Sequence, residues 1–412
     1  MKRFIFSAIL ISVLSANVYA YSGGSGTQSD PYILRTPADW QQLMDTSSDW
    51  GQYFLLAADI NLAGVSLIPV GDDGVNFTGV FDGNSNIIRN ANINLPSNDY
   101  VGLFGYIGSG GQVKNLSVEN VTMSGNNYVG GLTGQNSGNI IYSYSTGAIS
   151  SSTSSIGGLV GDNDGNITNC YSTAQVSGSE TSVSVGGLVG ENDGNVNSCY
   201  STGTVTGGSF VGGLAGRNYY GSINNCYSTG RCGYSDSYES GGLTGLNYSG
   251  TITNCYSTGQ VIGSSYVGGL VGNNVNNHPA VSSFWDVNTS DQPTSATGTG
   301  KTTAQMKTKS TFASASWDFT NETVNGTNDY WRMCADGVNY PQLNWEYAQN
   351  GDFFCPDGTN FTDYSFFAAH WLNTNCSNSN NNCAGTDLDL SGKVDVNDLK
   401  IFCQQWLEGV TH

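Results

Sequence analysis

Histidine, proline and positive charge are scarce in this chain. Its 412 residues hold three histidines, His278, His370 and His412, and none sits in a His-Glu-x-x-His zinc-protease pattern. No Gly-x-Ser-x-Gly nucleophile elbow occurs either. Catalysis therefore has thin support, although a dispersed Ser-His-Asp set stays open. Lys and Arg number 13 against 32 Asp and Glu. Two of the 13 lie in residues 1–20, so 11 basic residues face all 32 acids beyond that point, a formal charge of −21. Nucleic acid and anionic membrane surfaces are poor partners for such a chain. Divalent cations, basic patches and neutral glycans remain. Eight prolines against 56 glycines exclude a Pro/Gly linker, and the glycines fall at repeat positions. The one apolar stretch of note, Phe4 to Leu14, is too short to span a membrane. With Lys2-Arg3 before it and Ala16-Asn-Val-Tyr-Ala20 after it, residues 1–20 read as a secretory signal peptide. The expectation is an exported, secreted or cell-surface protein that does not span the membrane.

What the chain has in abundance is one sentence repeated. Its clearest form is Ile156-Gly-Gly-Leu-Val-Gly161, Asp-Asn-Asp-Gly-Asn-Ile167, Thr-Asn-Cys170-Tyr-Ser-Thr173 and Gln-Val176-Ser-Gly178. The leucine after the glycines recurs at 103, 132, 159, 188, 214, 243 and 270, in steps of 26 to 29 residues. A cysteine before Tyr-Ser-Thr recurs at 170, 199, 226 and 255. Such a period signals a solenoid, propeller or array. Each copy has short apolar runs, such as Val185-Gly-Gly-Leu188-Val189, Val196 to Tyr200 and Thr204-Val205. Gly, Asn, Asp and Ser fill the turns between them. No copy holds a run long enough for a helix. Three short strands per coil are predicted, with Gly-Gly marking a tight corner or a close approach of coils. One coil cannot bury its own inner face, but stacked coils can. Residues 100–281 thus read as a right-handed parallel β-solenoid, since a propeller blade needs a longer repeat.

Tyr266-Val-Gly-Gly-Leu-Val-Gly272 and Gly250-Thr-Ile-Thr-Asn-Cys-Tyr-Ser-Thr-Gly259 resemble the GLUG motif. That motif is known from bacterial adhesin-like surface proteins and from the neighbourhood of some immunoglobulin A1 peptidase domains. The resemblance implies architecture and carries no catalytic residue.

Residues 21–99 are expected to cap and open the solenoid. Thr36-Pro37 begins a short helix that sets Trp40, Leu43 and Met44 on one face. Phe54 to Ile60 and Phe77 to Asn84 look like first coils. In residues 282–350 the repeat stops, and Trp285, Trp317, Phe319, Trp331, Tyr340 and Trp345 follow. Two readings stand for them: a second end cap, or an aromatic platform for glycan.

From residue 351 to 412 the composition shifts, with eight acids against two lysines. Asp387, Asp389, Ser391, Lys393 through its carbonyl, Asp395 and Asp398 occupy positions 1, 3, 5, 7, 9 and 12 of a twelve-residue calcium loop, with Gly392 at the sharp turn. Calcium is the expected cofactor. Leu399, Phe402, Trp406 and Leu407 follow at helical spacing. A weaker copy lies 35 residues earlier. There Asp352, Asn360 and Asp363 take positions 1, 9 and 12, while positions 3 and 5 are Phe354 and Pro356. Two tandem loop–helix units resemble a type I dockerin, which implies a small α-helical calcium-binding domain and a cohesin-like partner. Positions 10 and 11, Val396-Asn397 and Phe361-Thr362, depart from the Ser-Thr pair of cellulosome dockerins. Solenoid repeats with such a tail look like exported proteins of planctomycete-type bacteria.

Ten cysteines in an exported chain permit disulfides. The 170/199/226/255 ladder reads as stacked, buried, free thiols. Cys376 with Cys383, and Cys355 with Cys403, are the expected bridges. Asp162, Asp164, Glu191 and Asp193 fall at matching places in adjacent coils. They are open to three readings: solvated turns, a second calcium site or an acid/base pair. The whole reads as a mainly β, non-enzymatic solenoid for adhesion or for glycan or protein contact, attached to a cell-surface component by its tail. The competing reading is a carbohydrate-active β-helix lyase or hydrolase recruited through a dockerin.

Overall fold

The computed structural model describes residues 21–320, 324–348, 351, 353, 359–377 and 381–406. The signal-peptide expectation lies outside them. The solenoid is present, built from parallel ladders. One unbroken path has nine rungs, from Tyr32–Leu34 to Thr251–Thr253. Registers repeat from coil to coil, as Val160 faces Val189, Ile167 faces Val196 and Tyr171 faces Tyr200, with one shift between Ser145 and Gly147.

Each full coil contributes to four sheets rather than the three strands expected. The run Val185–Val189 is not one strand. Val183–Gly186 belongs to one sheet and Val189–Asn192 to another. The Gly-Gly pair is the corner between them. A Cβ on Gly186 would lie 2.0 Å from the Val189 carbonyl oxygen, and one on Gly187 would lie 2.2 Å from Ser201 Oγ and from the Gly213 oxygen. Close approach therefore demands both glycines. A further corner is left-handed. Asn169, Ser198, Asn225 and Asn254 have φ between 51° and 54°, the conformation that Asn adopts at lower cost than most residues.

Three ladders fill the coil and a fourth lines its outside. The recurring leucines are fully buried, each contributing about 1.5–3 kcal/mol by transfer from water. The four cysteines stack as free, buried thiols. The Sγ atoms of Cys170, Cys199 and Cys226 accept the N–H of the preceding rung, as Cys170 N to Cys199 Sγ at 3.4 Å, and all four donate to the carbonyl two residues back, as Cys199 to Asn197 at 3.1 Å. Ser143 and Ser283 make the same pair of bonds at the ends of this row. Asn136, Asn163, Asn192, Asn218 and Asn247 form a buried amide ladder with Nδ2-to-Oδ1 bonds of 2.7–2.9 Å. Outside, Tyr144, Tyr171, Tyr200, Tyr227 and Tyr256 stack with centroids 4.5–5.0 Å apart.

The predicted N-terminal helix is Pro37–Asp45, closed by a reciprocal Thr36–Asp39 capping box. Trp40, Leu43 and Met44 are buried, and Trp40 meets Phe81 and Phe104 edge-on. At the other end, Phe284–Asp286 pairs with Tyr256–Ser257, and Trp285 plugs the last coil. The later aromatics do not form an exposed platform. Residues 303–320 and 324–345 run back along the tyrosine ladder, where Trp317, Phe319 and Trp331 are fully buried. Trp331 packs 5.9 Å from Tyr256, and Trp345 the same distance from Tyr200.

The tail has its own core of Phe353, Phe367, Leu388, Val394 and Phe402, beside the Cys376–Cys383 disulfide. The other expected bridge fails: Cys403 is an exposed free thiol, and Cys355 lies outside the described residues. Cys334 is the further half-cystine.

Candidate metal centre

The centre sits where a loop enters the helix Val396–Gln405. Carboxylate oxygens of Asp387, Asp389 and Asp398 all lie within 4.8 Å of one another. Backbone N–H groups aim them. Gly392 N reaches Asp387 Oδ2 at 2.9 Å, Ser391 N reaches Asp389 Oδ1 at 3.0 Å, and Asp389 N reaches Asp398 Oδ1 at 2.9 Å. Gly392 makes the turn with φ 91°, a conformation that side-chain-bearing residues adopt only at a cost. The Ser391 hydroxyl and the Lys393 carbonyl oxygen stand 3.3 Å apart, two more oxygens side by side.

Asp387 is 2% exposed and Asp398 is fully buried. Burial first, then mutual repulsion, pushes Asp387 up to about 7 and Asp398 up to about 6. Two buried acids with depressed acidity, converging with Asp389, want either protons or a cation. A hard divalent ion with oxygen ligands fits this donor set. Asp387, Asp389, Asp398, Ser391 and the Lys393 carbonyl are the groups that would hold it, and its charge would relieve their repulsion.

Asp395 does not join them. It caps the helix by accepting from Asn397 N at 2.8 Å, and its other oxygen pairs with Lys393 Nζ at 2.7 Å. That lysine holds its carboxyl below the usual range. Position 9 is a weak ligand position in such loops, commonly acting through water, so a capping role is compatible with the spacing.

In the earlier loop, Asp352 lies outside the described residues. Asn360 and Asp363 reproduce the second loop's geometry. Asn360 accepts from Thr362 N at 2.7 Å, and Asp363 accepts from Asn360 N at 2.9 Å, opening the helix Phe361–Ala369. Asp363 is fully buried. Positions 10 and 11 are exposed in both loops.

A second acidic group lies on the solenoid. Asp162, Asp164 and Asp193 converge, and the neighbouring Glu191 forms an ion pair with Arg217. Asp164 accepts from Gln135 Nε2 at 2.9 Å. Burial and the neighbouring acids push Asp162 up to about 8 and Asp193 up to about 6. Sequence reading missed Arg217, although it stands one repeat after Glu191, 26 residues on, and faces it in register.

Four of the repeats are GLUG motifs. The family model matches residues 152–177, 181–206, 207–231 and 236–262. The chain is 36% identical over 144 residues to a provisionally named Gly-rich membrane protein of Evansella cellulosilytica, covering 33% of this chain and 17% of that one. It is 31% identical over 135 residues to Halomucin of Haloquadratum walsbyi, covering 31% of this chain and 2% of the relative. The matches thus span a small part of these relatives. Among solved structures, a provisionally assigned immunoglobulin A1 protease from Bacteroides ovatus aligns with TM-score 0.51 and 22% identity, covering 79% of this chain and 95% of that one. That likeness concerns the fold. Among the described residues, no helix is long and apolar enough to cross a membrane.

Proposed function

We propose that this chain is an exported, non-enzymatic binding scaffold. Its solenoid is a rigid strut for adhesion or for glycan or protein contact. Its dockerin-like tail binds calcium and attaches the strut to a cohesin-like or other cell-surface partner through the exposed positions 10 and 11. The observation that supports this most is the meeting of Asp387, Asp389 and Asp398 in a tail with its own core. Calorimetric titration of the full chain with calcium tests it. Binding that disappears in Asp387→Asn/Asp398→Asn is the expected result. Unaltered binding in that variant would move the ion elsewhere, and no binding would remove calcium from the account.

One observation favours a second reading, a carbohydrate-active β-helix enzyme. Asp162 is pushed up to about 8 beside Asp164 and Asp193, and a carboxyl protonated near neutrality suits a general acid. Release of reducing ends from a polysaccharide panel, abolished by Asp162→Asn, would establish this alternative.

A further inference from the structure

Where residues 328–345 cross the tyrosine face, they leave a cavity of about 340 Å³ against the solenoid. Five amide side chains line it: Asn169 and Asn197 from the coils, Asn328 and Asn344 from the returning segment, and Asn382 from the tail. Tyr142, Tyr330 and Trp345 supply its aromatic wall. Asp329 is the one charged side chain among the described lining residues, and no lysine or arginine is among them.

The wall is braced. Trp345 is 8% exposed and fixed by Nε1 donating to the Ser198 carbonyl at 2.9 Å. Its ring meets Tyr142 edge-on at 6.1 Å. The Tyr142 hydroxyl in turn accepts from Asn382 Nδ2 at 2.8 Å. Asn344 is buried, whereas Asn328 is exposed at the rim. Asn197 accepts from Asn225 on the next rung at 3.1 Å, which orients its amide.

We infer that this cavity is a binding site for a neutral sugar unit of a glycan. Each asparagine amide offers a donor and an acceptor, the pairing that vicinal hydroxyls require. The aromatic wall suits the apolar C–H face of a pyranose ring. The absence of lysine and arginine from the described lining disfavours phosphate, sulfate and uronate ligands, which would also face Asp329. The volume falls at the small end of ligand sites, enough for one or two sugar units. A Lys- or Arg-bearing peptide is the competing occupant, and Asp329 alone gives it little purchase.

The inference rests on the scaffold reading and names where one glycan end would sit. The test is saturation-transfer NMR and calorimetry on the full chain. The probes are the methyl glycosides of glucose, galactose, mannose and N-acetylglucosamine, with glucuronate, glucosamine and pentalysine for contrast. At least one neutral glycoside should bind, and Asn197→Asp and Asn328→Ala should each weaken it by about tenfold. Tyr220→Ser, at an exposed tyrosine outside the cavity, should bind as the parent does, and unchanged thermal midpoints would show that all variants fold. Three results would overturn the inference: no neutral glycoside binding, preference for a charged sugar or pentalysine, or full affinity in both pocket variants. In the last case the scaffold reading survives with its glycan contact elsewhere. Cell-surface retention of the full chain tests the scaffold separately, so the two failures are distinguishable.

Discussion

The solenoid and the tail achieve order by opposite means. In the solenoid, each residue type meets its own kind one rung away: leucine on leucine, amide on amide, thiol on thiol, tyrosine on tyrosine. These stacks are uncharged, and each rung satisfies the backbone of the next. The tail has no such repetition. It gathers a small core, one disulfide and three converging acids that repel one another. Stability therefore rests on neighbour contacts in the solenoid, and, on the calcium reading proposed above, on a ligand in the tail.

Calcium removal should separate the two most sharply. A ligand present at 1,000 times its Kd adds about 4 kcal/mol to the state that binds it. Chelation should cost the tail that much, lowering its unfolding transition while leaving the solenoid's in place. Two calorimetric transitions, one moving with calcium, are expected. A single transition that shifts as a whole would mean that the regions unfold together and would dissolve the comparison.

Within the solenoid, Leu188→Ala should have the next largest effect. It removes buried methyl groups between rungs that hold leucine on both sides, at a cost of about 3 kcal/mol. Denaturant titration reads this on the solenoid transition, and the calcium-sensitive transition should not move. The loss should be local in origin yet felt by the whole ladder, because rungs are coupled to nearest neighbours.

These contrasts follow how legible each region was. The solenoid could be read because seven leucines and four cysteines keep their spacing, and the free-thiol stack followed from the same register. Gly186-Gly187 was legible as a tight corner or a close approach, and it is both, but the count of three strands per coil did not carry that corner through to a fourth sheet. The apolar residues on either side read as one run, and the partners met at the corner, Ser201 and Gly213, lie in later coils. The amide ladder was hidden for a different reason. Asn163 and Asn192 sit in Asp/Asn/Gly-rich segments that read as exposed turns, and only partners one rung away make their burial affordable. In the tail, spacing alone located the converging acids, since loop geometry is local. Asp395 departed because its helix cap and Lys393 claim both its oxygens. Cys403 departed because a pairing depends on tertiary placement that spacing does not encode.

The pH response sharpens the comparison at a smaller scale. Without calcium, Asp387 and Asp398 have folded values of about 7 and about 6, above the unfolded range near 4. The folded tail then binds more protons than the unfolded tail between roughly pH 4 and 7. Stability of the calcium-free tail should fall as pH rises through that window. With calcium the trend should reverse, because protons compete for the same oxygens below about pH 6–7. Thermal melts at pH 5 and pH 8, with and without calcium, should show this crossing. Parallel pH trends in both conditions would mean that the ion and the protons do not share these carboxylates.

The smallest effect is expected at Cys199→Ser. Serine already holds the equivalent place at Ser143 and Ser283, with the same acceptor and donor roles. Burial pushes the ladder thiols at Cys170 and Cys226 far above their ordinary range, so they stay neutral and act as small packing groups. Replacing one sulfur by a smaller oxygen trades some packing for a stronger hydrogen bond, a net change below about 1 kcal/mol. Alkylation of the native protein should label Cys403 and spare Cys170, Cys199, Cys226 and Cys255 until the solenoid unfolds. If Cys199→Ser instead cost as much as Leu188→Ala, the thiol stack would be a specific requirement of the coil rather than one of several side chains able to bridge two rungs.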